Sequence, residues 1–224
     1  MTAYGILPYL LLALPVLFNA AFIALGVRFS YPGILREPTS VILSRFAAGG
    51  SRLVLLWWGF AMSALLFIPV ATLGSTIVAD PTLAILTLVV GVVAGLVQAL
   101  GLIRWVFLVP FLARAQAEGH DEKSIDLVFQ SFHRYLGVAV GEHFGYLATG
   151  AWTILFAVGT AAVFPLWATI GGIVIGVMLL VGSLEFVGPF ERRGWKVAGI
   201  LIPVAYALWS LWLMVLGVLL LLAG

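Results

Sequence analysis

The stretch FHRYLGVAVGEHFGYL, Phe132 to Leu147, is apolar enough to lie in a bilayer, yet it carries His133, Arg134, Glu142 and His143. Either it belongs to a soluble amphipathic helix, or it brings an acid and an imidazole into a membrane. The residues around it decide. Of 224 residues, 63% are hydrophobic and 9% are charged, and mean hydropathy is +1.20. A soluble domain carries roughly 25% charged residues. The deficit places the chain in the membrane class, as one transmembrane domain over residues 1–224. With no cysteine, disulfides, thiolate metal sites and a Cys nucleophile are all excluded.

A hydrocarbon core of about 30 Å needs roughly 20 helical residues. Runs of that length recur at Tyr4–Val27, Leu53–Ala79, Thr82–Ala113, Ser124–Phe164, Leu166–Val187 and Val197–Ala223. They are continuously apolar rather than alternating, so helices and not a β-barrel are expected. The fold class expected is an all-α integral membrane protein, a bundle of six transmembrane helices with short interfacial helices on the cytoplasmic side. The opening stretch falls in the fourth run, which begins as an amphipathic lead-in with Ile125, Val128, Phe129, Phe132 and Leu136 on one stripe. A second interfacial helix is expected over Arg36–Gly50, with Val41, Ile42 and Phe46 toward lipid and Arg45 toward water. The N-terminal run has no basic residue ahead of it and reads as a retained span, not a signal peptide.

Every Lys and Arg falls in an odd-numbered loop. The first holds Arg28, Arg36, Arg45 and Arg52; the third holds Arg104, Arg114, Lys123 and Arg134; the fifth holds Arg192, Arg193 and Lys196. The positive-inside rule then puts the odd loops in the cytoplasm and both termini outside. This segregation also explains the pI near 9.2 without a nucleic-acid partner. Trp57, Trp58, Trp105 and Trp195 are expected to form the inner aromatic belt.

Counting about 20 residues inward from the outer end of the third, fourth and fifth helices brings Arg104, Glu142 with His143, and Glu185 to one depth at the inner edge of the hydrocarbon. Gly137, Gly141 and Gly145 repeat every four residues and should admit a close helix neighbour. Tyr135, Glu142, Tyr146, Thr149 and Thr153 form a polar stripe at helical spacing, which should face the bundle interior because an ionisable group in lipid is costly. Asn19, Gln98, Ser183, Tyr206 and Ser210 offer polar atoms from other helices. The candidate ligand-binding residues are therefore Glu142, His143, Arg104, Glu185, Tyr146 and Tyr135. Arg104 is the expected partner of Glu142, with Tyr146 second. His133 and His120 read as solvated.

Adjacent Glu142 and His143 project about 100° apart on a helix and do not fit a zinc-protease spacing. No phosphate loop or Ser–His–acid motif is visible, so no metal is assigned, no cofactor is named and catalytic residues stay unassigned. Three readings remain open. One is binding or movement of a small or lipid-like ligand through a polar pocket near the inner leaflet. Another is an intramembrane enzyme on a lipid-soluble substrate with Glu142 as acid or base. The third is a structural or accessory subunit whose charges only hold helices together. The partners expected are the lipid bilayer and a lipid or small apolar ligand, with protein partners left open.

Three segments carry a resemblance: YPGILREPTSVILSRFAAGGSRLVLLWW (Tyr31–Trp58), FQSFHRYLGVAVGEHFGYLATGAWT (Phe129–Thr153) and SLEFVGPFERRGWKVAGILIPVAYALWSLWL (Ser183–Leu213). The chain resembles a family of small bacterial integral membrane proteins grouped as a domain of unknown function (DUF4386). The resemblance implies a multi-pass protein of the bacterial inner membrane, and it implies no activity.

Overall fold

The computed structural model describes residues 3–223. Among them there is no strand. The elements are α1 (Ala3–Phe29), α2 (Thr39–Leu65), α3 (Phe67–Ser75), α4 (Pro81–Ala117), α5 (Glu122–Phe132), a π-helix (His133–Phe144), α6 (Gly145–Gly159), α7 (Leu166–Gly182) and α8 (Lys196–Ala223). Short 3₁₀ turns at Gly33–Arg36, Ser183–Phe186 and Gly188–Phe190 fill the connections.

Local chemistry sets the breaks. Asp80 caps α4 by accepting from the Leu83 amide at 2.8 Å, and Pro81 fits the first helical position, where no amide is needed. Gly50 takes φ +55°, a left-handed value that favours glycine, and kinks α2 there. Pro69 offers no amide to the Leu65 carbonyl, and α2 gives way to α3 at Leu66. In α1, the Asn19 side chain donates to the Pro15 carbonyl at 2.7 Å and to Ser210 Oγ on α8 at 2.9 Å, which ties the two helices together.

Five helical segments are long and apolar enough to cross a membrane: Gly5–Phe29, Thr39–Ser75, Pro81–Ala117, Leu166–Phe186 and Lys196–Ala223. The expectation of six spans is therefore not met by length and composition alone. The fourth expected run, Ser124–Phe164, is divided among α5, the π-helix and α6. The 15 residues of α6 extend only about 22 Å at 1.5 Å per residue, short of a bilayer core.

Neighbours close the bundle into a ring: α1 packs on α2 and α8, α2 and α3 on α4, α4 on α6, α6 on α7, and α7 on α8. Tryptophan N–H groups stitch α8 inward, Trp209 to Thr153 Oγ1 at 2.9 Å and Trp212 to the Ala168 carbonyl at 2.8 Å. The three odd loops share one end. Thr39 bonds Asp126, Gln116 donates to Ser44 Oγ at 3.0 Å, and Arg134 pairs with Glu191. At the other end the second and fourth turns meet, through the Ala79 amide and the Gly159 carbonyl at 3.4 Å.

Two expectations about aromatic and interfacial residues need correction. Trp57 and Trp105 are not belt residues. Both are fully buried and stacked on each other at 4.5 Å and 9°, with Phe29, Phe46 and Tyr31 around them. Trp58 is exposed and Trp195 half-buried, as a belt residue would be. Ile42 and Phe46 do not face lipid either. They are buried in the same aromatic cluster, so the start of α2 is part of the core of this end.

Candidate functional site

Glycine decides how the site is built. A Cβ on Gly101 of α4 would stand 2.5 Å from the Cα of Gly141 in the π-helix, so the two backbones touch. Gly137 accepts the flat guanidinium of Arg104, which would lie 2.6 Å from any Cβ there, and Gly145 receives the Gln98 side chain at 3.0 Å. All three glycines of the repeat thus face α4, as small residues at a close helix contact should. Glycine also weakens ordinary α-winding, and the chain through Gly137 and Gly141 adopts the wider i→i+5 ladder, which is often found at functional sites.

Arg104 is only 7% exposed. Its guanidinium donates to the Gly101 carbonyl of its own helix and lies 3.4 Å from Nδ1 of His133, which must be unprotonated to accept. Among the described residues no carboxylate comes within 4.0 Å of it; the ion contacts formed are Arg134–Glu191 and the exposed His120–Glu118. The expected Arg104–Glu142 pair is therefore not formed. The guanidinium has turned back toward its own helix and toward His133 instead. Glu142 is half-buried, and among the described residues it accepts no hydrogen bond. It still lies within electrostatic range of Arg104, Glu185, Tyr31, Tyr146 and Tyr206.

The other candidates divide. His143 faces the end of α7: its Nδ1 is 2.7 Å from the Ser183 carbonyl, to which it donates. Glu185 is half-buried at the start of α8, where a Cβ on Gly199 would meet its Oε1 at 3.4 Å. The positive end of that helix suits a carboxylate. Tyr146 packs edge-on to Tyr206 at 5.6 Å. Tyr135 does not join them; it is 69% exposed. A seven-residue step returns to the same face in an α-helix. In the π-helix each residue turns through roughly 80° rather than 100°, so the step from Tyr135 to Glu142 ends near the opposite face.

Above Glu142 the polar stripe continues inside the bundle. Thr149 and Thr153 are fully buried, and Gln98 donates to Thr149 Oγ1 at 3.1 Å. The Tyr206 hydroxyl faces Thr149 but has no hydrogen-bond partner. Gln98, Tyr206 and Trp209 line a cavity of about 10 Å³, the size of one water. The Arg104 guanidinium lies over the Trp105 ring, 5.4 Å from its centroid, and Trp57 and Trp105 each hold a buried indole N–H without a partner.

Two residues were missed as members. His133, read as solvated, is half-buried, stacked on Phe129 at 11° and in contact with Arg104. Its place nine residues ahead of Glu142 on a glycine-rich helix was the available signal. Tyr31 reaches the cluster because the chain reverses at Ser30, with φ +56°, and its ring then packs on Trp57 at 5.0 Å. Nothing in the spacing of the first loop announces that turn.

A ring of apolar helices around a buried polar cluster is an all-α, multi-pass membrane protein. Residues 6–224 match the family described as Domain of unknown function (DUF4386), and the chain belongs to that family. No curated protein and no solved structure matches it.

Proposed function

We propose that this chain is a bacterial inner-membrane protein that binds or moves a small or lipid-like ligand at Arg104, with the odd loops in the cytoplasm and both termini outside. One observation carries the reading: Arg104 is buried in the bundle, and among the described residues no carboxylate lies within 4.0 Å of it. A guanidinium has five donors in a fixed fork, and a buried charge without a counter-charge is costly. Ionisable groups at membrane depth that face a bundle interior mark sites of function. A phosphate or carboxylate on the ligand would supply the missing charge. The guanidinium lies over the Trp105 ring, 5.4 Å from its centroid, and Glu142 is the acceptor for any donor the ligand carries.

A structural role is the second reading, favoured by the His143–Ser183 bond and by the backbone contact of Gly101 with Gly141. Native mass spectrometry of the detergent-purified chain separates the two. An acidic small molecule or lipid should copurify with the wild type and be lost from Arg104→Gln. Identical spectra from both would leave the structural role standing.

A further inference from the structure

A second feature lies on the outside of the ring, away from Arg104. Between α1 and α2 runs a groove of about 460 Å³, within the range of small-molecule sites. Leu17, Ala20 and Ala21 form one wall, and Leu56, Gly59 and Ser63 the other. The only hydroxyl among these six is satisfied internally, since Ser63 Oγ donates to the Phe60 carbonyl at 2.7 Å. The groove opens toward the surroundings of the bundle, and in a membrane that surrounding is acyl chain.

Charge picks out one kind of chain. Ala21 precedes Arg28 by seven residues, and Arg52 precedes Gly59 by seven. Seven residues are two turns, so each arginine stands on the same helix face as its groove residue, about 10 Å further along the axis. The two helices run in opposite directions, α1 into the first odd loop and α2 out of it. Both arginines therefore crown the same end of the groove. Arg28 sits in the last turn of α1, and Arg52 follows directly on the Gly50 kink that starts the second part of α2. Both are exposed, and among the described residues neither has a carboxylate within 4.0 Å.

The geometry points to a binding site for an anionic phospholipid, with one acyl chain lying in the α1–α2 groove and the headgroup phosphate between Arg28 and Arg52. The site does not depend on a ligand at Arg104, nor on which side of the membrane the odd loops occupy. An acyl chain alone would bind any lipid equally. The paired arginines confer a preference for net negative headgroups, each contributing about a fivefold increase in affinity at a membrane surface.

Two perturbations test the halves of the site separately. Gly59 lines the groove, and a Cβ there meets nothing within 4 Å, so Gly59→Leu occupies groove space. Arg28→Gln with Arg52→Gln removes the crown at exposed positions. The probes are phosphatidylglycerol and phosphatidylcholine with identical acyl chains, titrated onto the full chain in detergent and read as retained lipid by native mass spectrometry. Wild type should retain phosphatidylglycerol in preference. The double arginine variant should lose about thirtyfold in phosphatidylglycerol affinity, with little change for phosphatidylcholine. Gly59→Leu should lose both lipids. Arg45→Gln with Arg193→Gln, which removes two exposed charges elsewhere at that end, should retain the wild-type preference. The proposal is overturned if that control loses as much as the groove pair, if Gly59→Leu binds like wild type, or if wild type does not distinguish the two lipids.

Discussion

Replacing glycines one at a time with alanine reads out how tightly the π-helix lies on α4. At Gly141 the new methyl would stand 2.9 Å from the Gly101 Cα and 3.2 Å from the Leu136 carbonyl oxygen. Both obstacles are backbone, so neither can rotate away, and the helices must separate. Overpacking a filled interior costs about 1–3 kcal/mol. In a chain of this size that lowers Tm by about 2–12 °C. At Gly145 the methyl would meet Gln98 Cγ at 3.0 Å. A side chain can yield, and the loss should fall at the low end of that range. Gly59 is the reference, because a methyl there meets nothing within 4 Å and gains up to about 1 kcal/mol of helix propensity in a soluble helix. Intrinsic fluorescence of the eight tryptophans follows unfolding in detergent. The expected order of Tm is Gly59→Ala at or above wild type, then Gly145→Ala, then Gly141→Ala. If Gly141→Ala melts with Gly59→Ala, the two backbones are not in contact and the account of the π-helix is wrong.

Further outcomes follow from single groups. Arg104→Gln should leave thermal stability in ligand-free detergent unchanged or raised, since it removes a buried charge that has no counter-charge; a large loss would show that Arg104 is paired after all. The Asp121 carboxylate caps α5 by accepting from the Ser124 amide at 2.9 Å and the Ser124 hydroxyl at 2.7 Å, which lowers its pKa below the ordinary 3.8. A depressed folded pKa means that its support for α5 is complete above pH 3.8 and fades as pH falls below it. Amide exchange over 122–125 should therefore accelerate below that pH in wild type, and at neutral pH in Asp121→Ala. Because the chain has no cysteine, Thr2→Cys and Arg193→Cys can each be labelled alone; an impermeant maleimide added to intact cells should reach the first and not the second, and the reverse would invert the orientation.

What could be read from the sequence was whatever depends on length, composition and depth. The spans of α1, α4, α7 and α8 lie close to the expected runs because a bilayer of fixed thickness sets helix length, and because Asp80–Pro81 and Phe164–Pro165 stop and start helices by local chemistry. The depth count assigned Glu142, His143, Arg104 and Glu185 to one level, and in the structure Glu142 lies within electrostatic range of Arg104 and of Glu185. A count along helix axes needs no knowledge of rotation.

Rotation is where the reading failed, and one cause accounts for most of it. Assigning partners on a helix assumes 100° per residue, and the 12 residues from His133 to Phe144 do not obey it. With π-winding, Tyr135 leaves the stripe, His133 turns in to Arg104, and Glu142 is left without the guanidinium it was expected to pair with. The cost of such winding in an isolated helix is offset here by backbone contact: Gly101 against Gly141, and the Arg104 guanidinium flat on Gly137. The glycine repeat and the misread stripe are thus one feature. Small residues admitted α4 so closely that its arginine lies on the glycine backbone, and the same loosened winding carried the acid away from it. An interior arginine without its acid is the consequence, and it is the reason that Arg104 rather than Glu142 stands at the centre of the proposed site.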